Sequence, residues 1–305
     1  MASSQQVEVD GRELKLTNLD KVLYPETGFS KGEMVDYYAR VAPAIVPHLS
    51  GRAVTLRRFP EGVDDLDSAF FEKRCPKHRP KWVKTTSVRA GPNAGNIDFC
   101  VCDGRPTLVW MAQLAAIELH PSLSRSRAPN RPTVLAFDLD PGPPADVVDC
   151  SRVALRLRDL LAQLNLESFV KTSGSKGMQL YVPLNGKATY EETRPFAQAI
   201  AQIVAKQNPD EVLAKMGKKT DRSGKVLIDW YQNNERKTTI AVYSLRAREH
   251  PTCSTPVTWD EVEAAAESGD GSALVFETTD VLERLDDHGD LFAPVLELEQ
   301  ELPEL

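Results

Sequence analysis

The sequence contains no apolar run approaching the roughly 18 to 20 residues that a bilayer-spanning helix needs, which excludes a helical membrane span. Its start, MASSQQVEVDGRELKL, is polar and carries acids, so neither a secretory leader nor a transit peptide is expected. Cysteine is scarce and odd in number, five in 305 residues. That argues against a disulfide framework and for reduced thiols in the cytosol. No internal repeat and no low-complexity tract is visible, so solenoids and disordered arrays are set aside. What remains is an ordinary globular composition, 41% hydrophobic and 27% charged, long enough for one large domain or two closely packed ones.

The net charge of −7 argues against a polyanion partner until its distribution is read. Residues 260–305 hold fifteen acids against Arg284 alone, so residues 1–259 are net positive. The sharpest basic run is KRCPKHRPKWVKTTSVR (73–89), with seven bases and no acid. A second is KMGKKTDRSGK, where Lys215, Lys218, Lys219, Arg222 and Lys225 face only Asp221. Basic loops beside an acidic tail fit a body that binds nucleic acid, although a single such run is more often solvated surface.

Ser30 and Glu33 form a capping box that opens a helix carrying Met34, Tyr37, Tyr38 and Val41. Strands are expected over 52–59, 82–88, 96–103, 132–142, 167–173 and 178–184, with 225–232 and 237–244 as a strand pair, and helices over 108–120, 145–166 and 189–208, with short helices following. Several strands run consecutively, which favours an α+β (mixed α/β) sandwich with antiparallel pairs over a doubly wound parallel sheet. A break near 128–132 divides a basic N-terminal part, about 1–130, from a part of about 131–290 that carries the carboxylates, with an acidic tail at 291–305.

Asp138 and Asp140 lie at i and i+2 in AFDLD, so on a strand both side chains share one face while Phe137 and Leu139 face the core. Two such carboxylates repel, and a divalent cation resolves this by taking hard oxygen ligands from both. Asp229 in VLIDW is a third strand carboxylate. Three can hold two Mg²⁺ or Mn²⁺ ions about 4 Å apart, the arrangement for in-line phosphoryl transfer. The alternative leaves Asp140 in a turn with Pro141 and Gly142, and Asp229 paired to Arg246 or Lys237. TSGSKG (172–177) lets backbone amides approach a phosphate or ribose. It is not a Walker loop, because it leads into a strand.

Taken in order, TNLDKVLYPETGFSK, FFEKR, FDLDPG, TSGSKG, VLIDWYQN and KTTIAVYSLR resemble the polymerase domain of bacterial DNA ligase D, in the archaeo-eukaryotic primase superfamily. The resemblance runs from about residue 12 to residue 290. It implies a primase-like two-part fold, with central mixed or antiparallel sheets flanked by helices and an RRM-like catalytic part, in a single primase-polymerase domain over 1–305. No ligase or nuclease segment is seen, so the expectation is a stand-alone enzyme of the actinobacterial kind.

The resemblance also implies roles. Asp138, Asp140 and Asp229 would be the catalytic metal ligands. His120, Lys237 and Arg246 would neutralise the incoming triphosphate, and Ser173 and Lys176 would hold its phosphates or sugar. Phe71 would stack on the incoming base and Phe70 against the template. Lys21 and Lys31 would bind a 5′-phosphate. Arg57, Arg58 and Lys73 would touch nucleic acid, and Arg222 would position a primer 3′ end. The family often has a His where this chain has Gln179, which can still donate a hydrogen bond to a phosphate. Cys75, His78 and Cys100 offer a structural Zn²⁺ site. Buried or free thiols are the preferred reading, and a Cys75–Cys100 disulfide is not expected in a reducing cytosol.

The activity so implied is a nucleotidyltransferase that adds NTPs or dNTPs, with a preference for ribonucleotides and Mn²⁺, to 3′ ends at short gaps and double-strand breaks. Its partners would be gapped or broken DNA with a 5′-phosphate, Ku and a separate ATP-dependent ligase. Its place would be the cytoplasm, at the nucleoid. The rival readings are a DNA-end bridging module with vestigial polymerisation, and a primase that starts chains de novo.

Overall fold

A computed structural model describes residues 4–91, 94–215, 217 and 220–304. Lys218 and Lys219 of the second basic run, and Pro92 and Asn93 of the expected Gly-rich turn, lie outside the described residues. The chain forms two compact units, each assembled from three stretches. One comprises Met1–Ser122, Thr238–Cys253 and Glu277–Gly289, and the other Leu123–Lys237, Ser254–Phe276 and Asp290–Leu305.

In the first unit, strands β1 (Ser4–Val9) and β2 (Arg12–Thr17) make a hairpin, and β3 (Val22–Tyr24) pairs with β4 (Phe29–Ser30). Helix α1 (Lys31–Leu49) starts where the capping box places it. The Ser30 hydroxyl accepts from Glu33 N at 3.2 Å, and Glu33 accepts from Ser30 N at 2.7 Å. Met34, Tyr37, Tyr38 and Val41 are buried, as expected. A further sheet runs in the order β6 (Phe70–Glu72), β5 (Val54–Arg58), β8 (Ala94–Cys100), β7 (Thr85–Gly91).

Two expectations fail in this unit. Residues 108–120 are not one helix: α2 (Arg105–Gln113) ends, Ala115 takes a left-handed φ of 58°, and the chain returns as β9 (Ala116–Pro121) paired antiparallel with β5. An apolar run buried on all sides carries no period that separates helix from strand. Residues 237–244 are not a regular strand and do not pair with 225–232. They follow β9 through single bonds, Thr239 N to Pro121 O at 3.3 Å and Ala241 N to Leu119 O at 2.8 Å. Tyr243, at φ 63°, turns the backbone away.

The second unit is built on a sheet ordered β13 (Val212–Leu213), β14 (Val226–Asp229), β10 (Val134–Pro141), β12 (Met178–Pro183), β11 (Phe169–Thr172), β15 (Pro256–Val257). Its pairs are antiparallel except β13 with β14. Phe137 and Leu139 of β10 are fully buried, as the alternation requires. Helices α3 (Val147–Gln163), α4 (Tyr190–Gln207) and α5 (Trp259–Ser268) complete the core. The mixed α/β class with antiparallel pairing is the one expected. The last stretch is docked rather than trailing: Gln300 donates to Glu167 O and Pro183 O, and Asn185 donates to Leu298 O. Among the described residues no helix is long and apolar enough to cross a membrane.

Candidate active site: carboxylates and cationic clusters

The three acids of the second unit share a face. Asp138 on β10 stands directly opposite Asp229 on β14, and Asp140 lies two residues along β10. Burial pushes the Asp138 carboxyl up to about 6; the charges of Asp229 and Asp140 add to this, against the Gln179 hydrogen bond and the Lys171 charge. Each acid is engaged. Asp138 Oδ1 accepts from Gln179 Nε2 at 3.1 Å. Asp140 Oδ2 accepts from Arg222 at 2.7 Å, and the same guanidinium nitrogen reaches Asp140 O at 3.0 Å. Asp229 accepts from Tyr231 N and from Gln232 Nε2, both at 2.9 Å.

Among the described residues no three Asp, Glu, His or Cys side chains stand together as a metal-binding group. Asp138 and Asp229 face one another, but Asp140 is drawn onto Arg222. The donor chemistry still fits a divalent cation, because three carboxylates on one face are hard oxygen ligands.

Gln179 is part of this face. Its Oε1 accepts from the buried Lys171 ammonium at 2.8 Å and from the Tyr181 hydroxyl at 3.2 Å, which orients its amide nitrogen onto Asp138. Lys171 also donates to Ser254 at 2.6 Å. Ser173 is buried and closes the TSGSKG loop on itself, its hydroxyl accepting from Ser175 N and Gly177 N at 3.2 Å. Lys176 is exposed beside it. Gly177 is required by close approach, since a Cβ there would strike the Leu139 carbonyl. Gly142 of FDLDPG is likewise pressed against Arg222 O. Lys237 places its ammonium 5.4 Å from the Tyr231 ring centroid.

The first unit gathers cations around one buried acid. Glu118, 1% exposed on β9, accepts from Arg57 at 3.2 Å, His120 Nε2 at 3.0 Å, Arg246 Nε at 3.0 Å and Ala247 N at 3.2 Å. Burial pushes its carboxyl up, but the His120 hydrogen bond and the Arg246, His120 and Arg57 charges hold it well below the usual carboxylate range. An ionised carboxylate only accepts, so Nε2 of His120 carries the proton. Burial lowers the His120 pKa, against the pull of Glu118, which favours the neutral ring.

Phe71 joins this cluster, edge-on to His120 at 5.6 Å and 5.3 Å from the Arg57 guanidinium. Phe70 lies 5.2 Å from Arg58, which is paired to Glu72. Both rings are exposed, at 42% and 57% for Phe70 and Phe71, so strand alternation does not send one of them into the core. Strand β3 and helix α1 hold the backbone that bears these groups: Tyr24 of β3 donates to Arg246 O, and Tyr37 and Tyr38 of α1 donate to Tyr243 O and Ile117 O.

A second cationic cluster lies at the start of α1. Lys31 is 6% exposed, donates to Thr17 O at 2.9 Å, and has its backbone N–H on Lys21 O at 2.8 Å. Burial, helped by the charges of Lys21 and Arg58, lowers its pKa to about 8. Lys21 is paired to Glu61. Three crowded cations favour an anion.

Lys73 is exposed at the head of the basic loop. The zinc expectation is corrected there: Cys75 and Cys100 form a disulfide, with their Cα atoms 4.9 Å apart, leaving no thiolates for a metal. The expected absence of that disulfide is corrected with it. Cys75 N donates to Asp98 O at 2.7 Å, which brings the two cysteines into bridging reach. Cys102, Cys150 and Cys253 are buried free thiols, as expected.

Residues 30–292 match the family model described as LigD, primase-polymerase domain. The chain belongs to that family. The multifunctional non-homologous end joining protein LigD of Mycolicibacterium smegmatis is 41% identical over 284 residues, 92% of this chain and 36% of that protein. The bifunctional non-homologous end joining protein LigD of Bacillus subtilis is 33% identical, over 83% of this chain and 40% of its own length. This chain therefore spans little more than a third of the relatives it matches. The polymerase domain from Mycobacterium tuberculosis ligase D, solved in complex with DNA, superposes with a TM-score of 0.84 at 38% identity, covering 95% of this chain and 99% of that one.

Three residues not singled out from the sequence organise these clusters: Glu118, Lys171 and Gln232. Glu118 and Lys171 carried a signal, a lone charge inside an apolar strand, which is seldom buried without a partner. Gln232 carried none.

Proposed function

We propose that this chain is a metal-dependent nucleotidyltransferase that extends a primer 3′-hydroxyl with NTPs or dNTPs. The observation that carries the reading is the cross-strand opposition of Asp138 and Asp229, with Asp140 on the same face and the Asp138 carboxyl raised mainly by burial, to which the neighbouring acids add. Asp138, Asp140 and Asp229 would hold two Mn²⁺ or Mg²⁺ ions, which would supply charge neutralisation to the triphosphate and lower the pKa of the attacking hydroxyl. Arg222 sits where a cation would draw Asp140, so its release to the primer strand would accompany metal loading. Gln179, held by Lys171 and Tyr181, fixes the free rotation of Asp138. It therefore serves the carboxylate rather than the triphosphate.

In the first unit Arg57, His120 and Arg246 would neutralise phosphates, with Glu118 setting their positions, while the exposed rings of Phe71 and Phe70 offer surfaces for the incoming and template bases. Ser173 and Lys176 would contact the nucleotide, Lys237 the triphosphate, and Lys73 the DNA backbone. Lys21 and Lys31 would take the 5′-phosphate of a gap or break. The substrate class is gapped or broken DNA, with ribonucleotides preferred. The setting is end joining in the cytoplasm, at the nucleoid, beside Ku and an ATP-dependent ligase. Similarity to LigD proteins of end joining and to a polymerase domain solved with DNA supports this reading.

The test is extension of a labelled primer across a 5′-phosphorylated gap with Mn²⁺ and NTP or dNTP. Extension by the parent and its loss in Asp138→Ala and Asp229→Ala, with gap binding retained, is expected. Binding without extension by the parent would instead leave an end-bridging module, and full activity in either variant would remove the metal site.

A further inference from the structure

A cleft of about 860 Å³ in the second unit, between the start of α4 and the turn after β14, is used by none of the roles above except that of Lys237. That volume is in the range of ligand-binding clefts. Its floor is an aromatic ring: Tyr231 is 42% exposed, and Trp230 stands edge-on to it at 5.9 Å. Two cations attend that ring. The Arg194 guanidinium is 4.6 Å from its centroid, and the Lys237 ammonium 5.4 Å. Arg236, Gln198 and Asn234 add a third cation and two amides to the lining. Glu191 and Glu235 also line the cleft, and Glu235 lies 3.6 Å from Arg236. Among the described residues neither Arg194 nor Lys237 makes an ion pair, and both stand beside the ring.

We infer that this cleft is a docking site for single-stranded nucleic acid, in which a base stacks on Tyr231 and the adjoining phosphates lie against Arg194 and Lys237. An exposed ring flanked by cations supplies what a nucleotide presents: a flat π-face and a charged backbone. Amides at the margin accept any base edge, so the site reads a strand without reading its sequence. Anchorage favours the same assignment. Asn233 is fully buried, its side chain bridging Ala136 N and O at 2.9 and 2.7 Å and Trp230 O at 2.8 Å, which makes the Tyr231 turn a rigid platform. The backbone N–H of Tyr231 is bonded to Asp229, so a strand held here runs beside the carboxylate face. Its relevance to extension rests on the proposed activity; the binding itself does not.

The test separates the two. A labelled, 5′-hydroxyl single-stranded DNA of about twelve nucleotides, within the usual site size of a stacking groove, is titrated into the whole protein in EDTA, with no nucleotide present. Tyr231→Ala should weaken binding about ten-fold, Tyr231→Phe should bind as the parent does, and Arg194→Gln should lower the salt slope by about 0.7. In the parent, 5-iodouracil in the strand should photo-crosslink to the peptide containing Tyr231. Unchanged affinity in Tyr231→Ala, or crosslinks confined to other peptides, would overturn the inference. So would competition by a nucleoside monophosphate at the same concentration as the strand, which would make this a mononucleotide site. None of these outcomes depends on whether the carboxylates bind metal.

Discussion

Glu118 and Arg246 are 128 residues apart in the chain, yet Arg246 Nε donates to Glu118 Oε1 at 3.0 Å in the interior of the first unit. The same carboxylate holds Arg57 and His120, so one acid fixes three groups proposed to meet phosphate. Glu118→Gln keeps the shape and removes the charge, leaving Arg57 and Arg246 facing a neutral amide. Breaking a buried pair in this way is expected to cost about 3 kcal/mol, seen as a lower chemical-denaturation midpoint. Because the folded carboxyl titrates below its unfolded value, its contribution is present above the ordinary glutamate range and is lost as pH falls through the folded value. The deficit should therefore be full at pH 7 and shrink only in strong acid. A variant as stable as the parent at neutral pH would show that Glu118 is not the hub.

Lys31 provides a pH-dependent test of the 5′-phosphate pocket. Its pKa is lowered to about 8, mainly by burial, so charging it opposes folding: the favourable contribution is present at high pH and is lost as pH falls through about 8. A bound phosphate reverses that balance by supplying the missing anion. Affinity for a 5′-phosphorylated gap should fall between pH 7 and 9, while affinity for a 5′-hydroxyl gap stays level. Lys31→Met should abolish the difference and should raise the melting temperature of the free protein at pH 7. Equal pH profiles for the two gaps would refute the pocket.

The legible parts of this protein were those where residue type and spacing leave one solution. The Ser30 and Glu33 capping box, the Phe137–Asp138–Leu139 alternation and the short loop after β11 each have a local physical cause, and each stands where expected. The failures came from non-local causes. Residues 108–120 are mostly apolar, and only the left-handed turn at Ala115 and pairing to β5 decide between helix and strand. The Cys75–Cys100 bridge depends on a backbone contact between Cys75 and Asp98 that no spacing announces. Sequence reasoning placed Asp140 among free carboxylates. Its bond to Arg222, 82 residues on, appears only when β10 and β14 are paired.

Asp138 makes the metal reading testable without catalysis. With its carboxyl raised to about 6, mainly by burial, its favourable contribution to folding is present below the usual aspartate value and is lost as pH rises through about 6. At pH 7.5 it is ionised at the expense of stability. Asp138→Asn should therefore melt higher than the parent in EDTA at pH 7.5 and show no advantage at pH 4. Adding Mn²⁺ should raise the parent's melting temperature at pH 7.5, do so far less at pH 5.5, and leave the variant unmoved. An Asp138→Asn protein that still responds to Mn²⁺ would sink the assignment.

The carboxylate face also depends on a backbone contact that carries no charge. Gly177 lets the TSGSKG loop lie against the Leu139 carbonyl, between Asp138 and Asp140 on β10, and a Cβ at that position would overlap the oxygen. Neither partner is a flexible side-chain end, so the strand or the loop must move. Gly177→Ala is expected to destabilise the protein by about 1–3 kcal/mol, the range for forced overpacking. Any shift of β10 relative to β12 would also loosen the Gln179 contact with Asp138, so extension should fall more than gap binding. Gly95→Ala is the control: it is a glycine of strand β8, and nothing lies within 4 Å of its added Cβ. Melting curves and primer extension for the two variants decide the matter. Equal, small losses in both would mean that the approach at Gly177 relaxes freely and does not hold the acids in place.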